Sequence, residues 1–355
     1  MRPRRVRIWV VGFGTVGQWL LRAIDTGERR LAERHGVAFD VVGIANRRGG
    51  FVFDQNGLDV RAALEGASRG DALTGLERTA RWGDAFAGMQ ATEADVLVEV
   101  TASPASDGEP GIAHMREALG RGIPVVTSNK WPVALHGVEL RRRADEASVP
   151  FRAESTVMSG TPVLGPLTEG LAGASPLALR GVLNATANFI LTRMTDGVAY
   201  ERALAEAQRI GLAERDPTDD VDGNDAVAKV MILAALVFGR QLRRQDVLGR
   251  GISTIAESDM ARARADGTPI KELASLQPAA AASDGELRAT VEPVALAPDD
   301  PLAAVAGTTN AIVCKVAPLG EVAIRGPGAG PELAGQGVLS DLINVARRLG
   351  PPGGD

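Results

Sequence analysis

Apolar residues follow one rhythm up to residue 150 and another beyond it. Residues 5–11 are a largely apolar, β-branched run, interrupted only by Arg5 and Arg7, that enters Gly12-Phe13-Gly14-Thr15-Val16-Gly17, after which QWLLRAI shows helical spacing. The runs FDVVGIAN, ADVLVEVTAS and IPVVTSNK read as further buried strands, with a helix over about 111–119 and Pro132 at another helix start. Alternating strands and helices predict an α/β domain with a doubly wound parallel (Rossmann) sheet over residues 1–150. Residues 51–94 read as polar and helical with glycine breaks. Past Val149-Pro150, FRAESTVMSGTPVLGPL is rich in glycine and threonine, LALRGVLNATANFILTRM reads as strand, turn and a helix from near Asn188, and YERALAEAQRIG is helical. Three strand-like runs between Leu287 and Ile324 predict a second, mixed α/β domain over 151–325 with a largely antiparallel sheet. GPGAG then opens a returning helix over 326–350 that packs on the first domain, and PPGGD at 351–355 reads as a disordered tail.

The stretch Leu212 to Gly239 departs from both rhythms. Six carboxylates fall between Glu214 and Asp225, and an apolar helix carrying one lysine follows at once. Asp222, Asn224 or Asp225 is placed to meet the free N–H groups at the helix start. Residues four apart share a helical face, so Asp225 and Lys229 stand side by side, with alanines around them leaving room for a ligand. A solvated acidic loop followed by an ordinary ion pair explains the same spacing. A calcium loop does not, because its closing glutamate would fall on Lys229.

Composition shifts the balance. The chain has 355 residues and 39 basic side chains, of which only Lys130, Lys229, Lys271 and Lys315 are lysine. Where arginine serves nearly everywhere, lysine marks places that need a proton to come off. Lys130 ends a strand-like run, Lys271 lies in the polar segment TPIKEL, which suggests a snorkelling or edge position, and Lys315 lies in a strand-like run. A net charge of -5 with interspersed signs excludes a nucleic-acid surface, and no membrane segment is evident. Cys314, the single cysteine, reads as a buried structural thiol and points to a cytoplasmic home. His35, His114 and His136 lack zinc-ligand spacing.

At the first glycine turn, Gly12 makes the bend, Gly14 admits a pyrophosphate to the backbone and Gly17 lets helix meet strand, so a dinucleotide site is expected there. Asn46, Arg47 and Arg48 end the next strand where an acid would bind the ribose of NAD. Two guanidiniums fit a 2′-phosphate, which favours NADP(H) over NAD(H), with two arginines on a solvated turn as the lesser alternative. Thr101, Ala102 and Ser103, and then Lys130, fall at carboxyl ends of strands, the side on which open sheets bind nucleotides.

GFGTVG, TSNK, AESTVMSGTP, AEAQRIGLAERDPTDDVDGNDAVAK and GPGAG, in that order, resemble homoserine dehydrogenase over nearly the whole chain. The resemblance implies a substrate and dimerisation domain with an open sheet, a homodimer, and NAD(P)-linked interconversion of L-aspartate 4-semialdehyde and L-homoserine. It implies that Lys229 donates a proton to the carbonyl oxygen with Lys130 assisting, and that Glu214 and Asp225 hold the substrate with Asp220 in support. It further implies a monovalent cation, Na or K, at Glu154, Val157, Ser159 and Thr161, and a loop at Gly328 and Gly330 that closes over the cofactor. Ala185, Ala187 and Met158 depart from the family pattern, and no C-terminal regulatory domain is expected. A dehydrogenase of another small amino or hydroxy acid, or a catalytically silent nicotinamide sensor, is the alternative.

Overall fold

The computed structural model describes residues 3–70, 73–76, 79–279 and 286–349. The chain divides into two compact units, 1–160 with 330–355, and 161–329.

In the first unit, β1 (Arg4–Val11), β2 (Val37–Asn46), β3 (Gly50–Phe53), β4 (Ala80–Trp82), β5 (Val96–Glu99), β6 (Val125–Thr127) and β7 (Phe151–Arg152) form one sheet in the order β4-β3-β2-β1-β5-β6-β7. The pairs β1–β2, β1–β5, β5–β6 and β6–β7 are parallel. This is the doubly wound sheet that the strand and helix alternation implies. Two features differ from the sequence reading. Residues 51–94 are not simply helical, because FVF and ARW add an antiparallel edge, β2–β3–β4. Such three- and four-residue strands are too short to leave a period in the sequence. The parallel sheet also takes in β7, beyond Pro150, which accompanies the extension of this unit to residue 160.

The helix Pro331–Arg348 returns to this unit. Its Val338, Leu339, Leu342 and Val345 share one core with Val6, Ile8 and Val10 of β1 and Leu20, Leu21 and Ile24 of the helix Thr15–His35. Residues 351–355, read as a tail, lie outside the described residues.

The second unit carries β8 (Ser175–Val182), β9 (Val247–Gly249), β10 (Ile270–Pro278), β11 (Leu287–Ala295), β12 (Thr309–Ala317) and β13 (Gly320–Pro327), in the order β13-β12-β8-β10-β11-β9. All neighbours are antiparallel except β11–β9, giving the mixed, largely antiparallel sheet expected. The helix after β8 starts at Ala185 rather than near Asn188, because Asn184 caps it: its Oδ1 accepts the backbone N–H of Ala187 at 2.8 Å. Lys271 does not snorkel from a polar segment. It lies inside β10, 3% exposed, with its ammonium donating to the Val305 carbonyl. Cys314 is fully buried and its thiol is pushed up to about 11 by that burial, as suits an inert structural cysteine. Among the described residues no helix is long and apolar enough to cross a membrane.

The glycine turn after β1 is fixed by close approach. Gly12 has φ +116°, and a Cβ there would stand 2.5 Å from the Val100 carbonyl carbon and 2.7 Å from the Thr101 nitrogen. A Cβ on Gly17 would lie 2.1 Å from the Gly12 oxygen, whereas one on Gly14 would meet nothing within 4 Å. Gly12→Ala is therefore expected to destabilise the protein by ~1–3 kcal/mol through backbone strain and clash. Gly14→Ala should stay within ~0.5 kcal/mol of the parent. Urea denaturation of the two variants checks this, and equal losses would contradict it.

Candidate active site

In the second unit Asp220, Asp225 and Lys229, the residues singled out in the sequence, cluster where β8 ends and the helix Asn224–Leu236 begins. Small and apolar residues from Ala226 to Ala235 bury that helix on every side. An ionised group within it needs partners close by, since a lone buried charge is prohibitive. Lys229 has two. Its Nζ lies 2.7 Å from Asp225 Oδ2, one turn earlier, and donates to the Leu183 carbonyl at 2.7 Å. Side-chain exposure is 9% for the lysine and 10% for the aspartate, so the pair is largely shielded from water. The spacing in the sequence is thus realised as a shielded ion pair rather than a solvated one.

The surrounding amides hold this pair in place. Asn184, besides capping its own helix, donates from Nδ2 to Asp220 Oδ1 at 2.7 Å and to Asp225 Oδ2 at 3.0 Å. Asn310, fully buried in β12, donates from Nδ2 to the same Leu183 carbonyl that Lys229 uses, also at 2.7 Å. Gly328 packs on that amide: a Cβ there would fall 2.1 Å from Asn310 Cγ, so only glycine permits the approach. The short helix Thr218–Val221 supplies Asp220. Burial pushes the Asp220 carboxyl above its usual range, against the pull of the Asn184 hydrogen bond.

The acids near the helix start do not cap it as expected. Its N-cap is Gly223, in the left-handed region at φ 79°, with no side-chain cap. Asp225 sits in the first turn and spends its carboxylate on Lys229 and Asn184. Glu214 is exposed in the segment before, where its backbone carbonyl accepts from Gln208 Nε2 at 3.1 Å. Ala185 and Ala187 are buried in the helix that Asn184 caps.

The first unit presents its own set at the carboxyl ends of β1, β2, β5 and β6. Gly14 and Thr15 are exposed at the start of the helix Thr15–His35, Val16 is half-buried and Gly17 buried, so the N-terminal turn is open to an anion. Asn46 Oδ1 accepts the backbone N–H of Arg48 at 3.0 Å and that of Gly49, a local turn that leaves Arg47 and Arg48 exposed. Thr101 donates its hydroxyl to Glu99, and Asn129 Nδ2 reaches Ser103 Oγ at 2.8 Å and Glu99 Oε2 at 3.1 Å. Ala102 between them is exposed. Lys130 does not end a strand. β6 stops at Thr127, and Lys130 opens the helix Lys130–Glu146, half-buried.

Of the residues implied for a cation, Glu154 and Val157 are buried around the four-residue helix Ser155–Met158, and the backbone N–H of Glu154 donates to Asp341 at 2.9 Å. Met158 is fully buried in that helix. Ser159 has φ 52°, and its carbonyl oxygen lies against Gly337, 2.5 Å from where a Cβ would stand. Thr161, in the second unit, donates its hydroxyl to the Pro327 carbonyl at 3.0 Å. Gly330, at φ +134°, caps the helix Pro331–Arg348. Among the described residues no three His, Cys, Asp or Glu side chains gather as a metal site.

Asn184, Asn310, Glu99 and Asn129 escaped the sequence reading. A single asparagine carries no period or spacing that marks it, and only the TSNK run drew notice to Asn129.

Comparison with known proteins agrees with this arrangement. The family profile "Homoserine dehydrogenase, NAD binding domain" matches residues 12–154, and "Homoserine dehydrogenase" matches 162–343. The chain is 37% identical to the NAD(+)-dependent homoserine dehydrogenase of Pseudomonas canavaninivorans over 339 residues, covering 96% of each. It is 35% identical to the homoserine dehydrogenase of Methanocaldococcus jannaschii, covering 95% of this chain and 98% of the relative. A hyperthermophilic archaeal homoserine dehydrogenase in complex with NADPH superposes with TM-score 0.79 at 32% identity, covering 96% and 97%. The enzyme from Thiobacillus denitrificans gives TM-score 0.81 at 31% identity, covering 98% of this chain and 74% of that one, so in length this chain matches the shorter relatives. A glycine turn open to a dinucleotide, a shielded lysine–aspartate pair and these matches over both units agree: the chain belongs to the homoserine dehydrogenase family, NAD(P)-dependent oxidoreductases that act on a CH–OH group.

Proposed function

We propose that this enzyme interconverts L-aspartate 4-semialdehyde and L-homoserine with NADP(H) preferred over NAD(H), and that Lys229 is its proton donor. The observation that carries the reading is the Lys229 ammonium held between Asp225 and the Leu183 carbonyl in a shielded setting. When bound, the nicotinamide supplies or accepts the hydride. Reduction leaves negative charge on the carbonyl oxygen, and an ammonium already aimed there stabilises it without reorganisation and then gives it a proton. Lys130 assists. Glu214 and Asp225 hold the substrate's ammonium and hydroxyl, and Asp220 supports Asp225 through the shared Asn184 amide.

Gly12, Gly14, Thr15, Val16 and Gly17 suit a pyrophosphate, because a Cβ on Gly14 would meet nothing within 4 Å and Gly14 and Thr15 are exposed. Thr101, Ala102, Ser103 and Lys130 serve the nicotinamide end, with Gly328 and Gly330 closing over the cofactor. One relative is named for NAD(+) and one solved relative holds NADPH, so the NADP preference rests on the exposed Arg47 and Arg48 beside Asn46. A monovalent cation at Glu154, Val157, Ser159 and Thr161 is consistent with one carboxylate among neutral oxygens, which suits a single positive charge. We further assign a homodimer and a cytoplasmic location, the latter supported by the reduced, buried Cys314.

Lys229→Ala is expected to lower turnover by ~10²–10⁴-fold while cofactor affinity, read by nicotinamide fluorescence, changes little. Turnover near the parent's would overturn the assignment. Replacing Arg47 and Arg48 together by alanine should weaken NADPH by ~10-fold or more and NADH by less than ~2-fold, through loss of charge-assisted bonds to the 2′-phosphate. Equal effects on both cofactors would reject the preference. Gly14→Ala should weaken both cofactors alike, although its fold is kept.

A further inference from the structure

Next to the Lys229 pair lies a carboxyl group that the reaction as described does not use. Glu272 sits in β10, the strand between β8 and β11, and is 2% exposed. Neither of its carboxyl oxygens meets a hydrogen-bond partner among the described residues. Its Oε1 lies against Gly223, the glycine that opens the Lys229 helix, 3.3 Å from where a Cβ would stand. An ionised carboxylate in that setting would be unpaired and dry, which is among the costlier arrangements a protein can contain. A neutral acid is far cheaper there.

The charges around it point the same way. From the helix Asn224–Leu236, Asp225 and Lys229 act on Glu272, and from the helix Thr218–Val221 so does Asp220. On the neighbouring strands, Glu292 of β11 is paired with Arg250 at 4.0 Å, and Arg180 of β8 with Asp300 at 2.7 Å. In the helix Ala185–Thr195, Arg193 is paired with Glu206 at 2.9 Å. The adjacent Lys271 donates to Val305. One ammonium therefore serves three acids. Burial, followed by the Asp225 charge, pushes the Glu272 carboxyl from 4.5 to about 8.

Resting on the reading of Lys229 as the proton donor, we propose that Glu272 is a positioning residue for the reaction. As a neutral acid it adds no charge beside Lys229; once it loses its proton it becomes a further anion that keeps Lys229 in the ammonium form. Reduction of the aldehyde needs the ammonium, and oxidation of the alcohol needs the free amine. Ionised Glu272 thus extends the reducing direction to higher pH and delays the oxidising one.

The test is the pH profile of kcat/KM for aspartate semialdehyde reduction, for the full-length parent and for Glu272→Gln, from about pH 6 to about pH 10. Gln keeps the shape and stays neutral throughout. Near pH 6.5, where the parent's Glu272 is also neutral, the two should agree within ~2-fold, whereas the basic limb of E272Q should move down by ~0.5 unit or more. Superimposable profiles would overturn the proposal. Lys229→Ala measured alongside separates the two ideas. If it is inactive and the E272Q profile does not move, only the role of Glu272 fails; if it stays active, the role of Lys229 fails and that of Glu272 with it.

A second readout does not use activity. A carboxyl raised on folding binds its proton more tightly in the folded chain, so its stabilisation is complete below 4.5 and is lost as pH rises through about 8. Lys271, lowered by burial from 10.5 to about 8, acts in the opposite sense and only above that range. Between about pH 5 and about pH 8, Tm of the parent should therefore fall relative to that of Glu272→Leu. Parallel Tm curves for parent and variant would contradict a neutral buried acid.

Discussion

A buried ammonium at Lys229 is the constraint on which the second unit depends. Taking such a charge out of water costs several kcal/mol, which is offset only when its hydrogen bonds and counter-charge are in place beforehand. Here the counter-charge comes from Asp225 on the same helix face, and a hydrogen-bond acceptor comes from the Leu183 carbonyl at the end of β8. That carbonyl is itself fixed by Asn310 of β12, and Asn310 by the close packing of Gly328. The order β12-β8-β10 in the sheet is what brings these elements together. An amide from Asn184 then joins Asp225 to Asp220 while capping the next helix, so one side chain settles both a helix start and the orientation of two acids.

The same constraint creates a crowd of acids. Asp220, Asp225 and Glu272 all act on a single lysine, and burial pushes the Asp220 and Glu272 carboxyls above their usual range. The glycine at 223 matters in this setting for two reasons. Its left-handed backbone turns the chain into the helix, and its missing side chain lets the Glu272 carboxyl come close, 3.3 Å from where a Cβ would stand.

Much of this was legible in the residues. The strand, glycine turn and helix at residues 5–24 follow from a change of hydrophobic period at three glycines, and the structure gives Gly12 and Gly17 a steric reason while the position over Gly14 stays open. The pairing of Asp225 with Lys229 follows from their spacing on a helix. What was not legible depends on distant parts of the chain. Lys271 and Glu272 look like a polar surface pair in sequence, yet β10 lies inside the sheet and buries both. Asn184 and Asn310 are 126 residues apart and are given their roles by strand pairing between β8 and β12. The edge strands β3 and β4 are too short to carry a pattern, and Lys130 opens a helix because β6 ends three residues before it.

Chemical rescue of the Lys229→Ala enzyme tests the central claim most directly, because a small amine can enter the space the side chain leaves and carry a proton in its place. Turnover of aspartate semialdehyde and NADPH would be followed while methylamine or ethylamine is added at constant pH and ionic strength. The account predicts a slow enzyme whose rate rises with amine concentration and saturates, since the Asp225 carboxylate and the Leu183 carbonyl remain to hold the added ammonium. An enzyme slow without amine and indifferent to it, or one that turns over at the parent's rate without any, would contradict it.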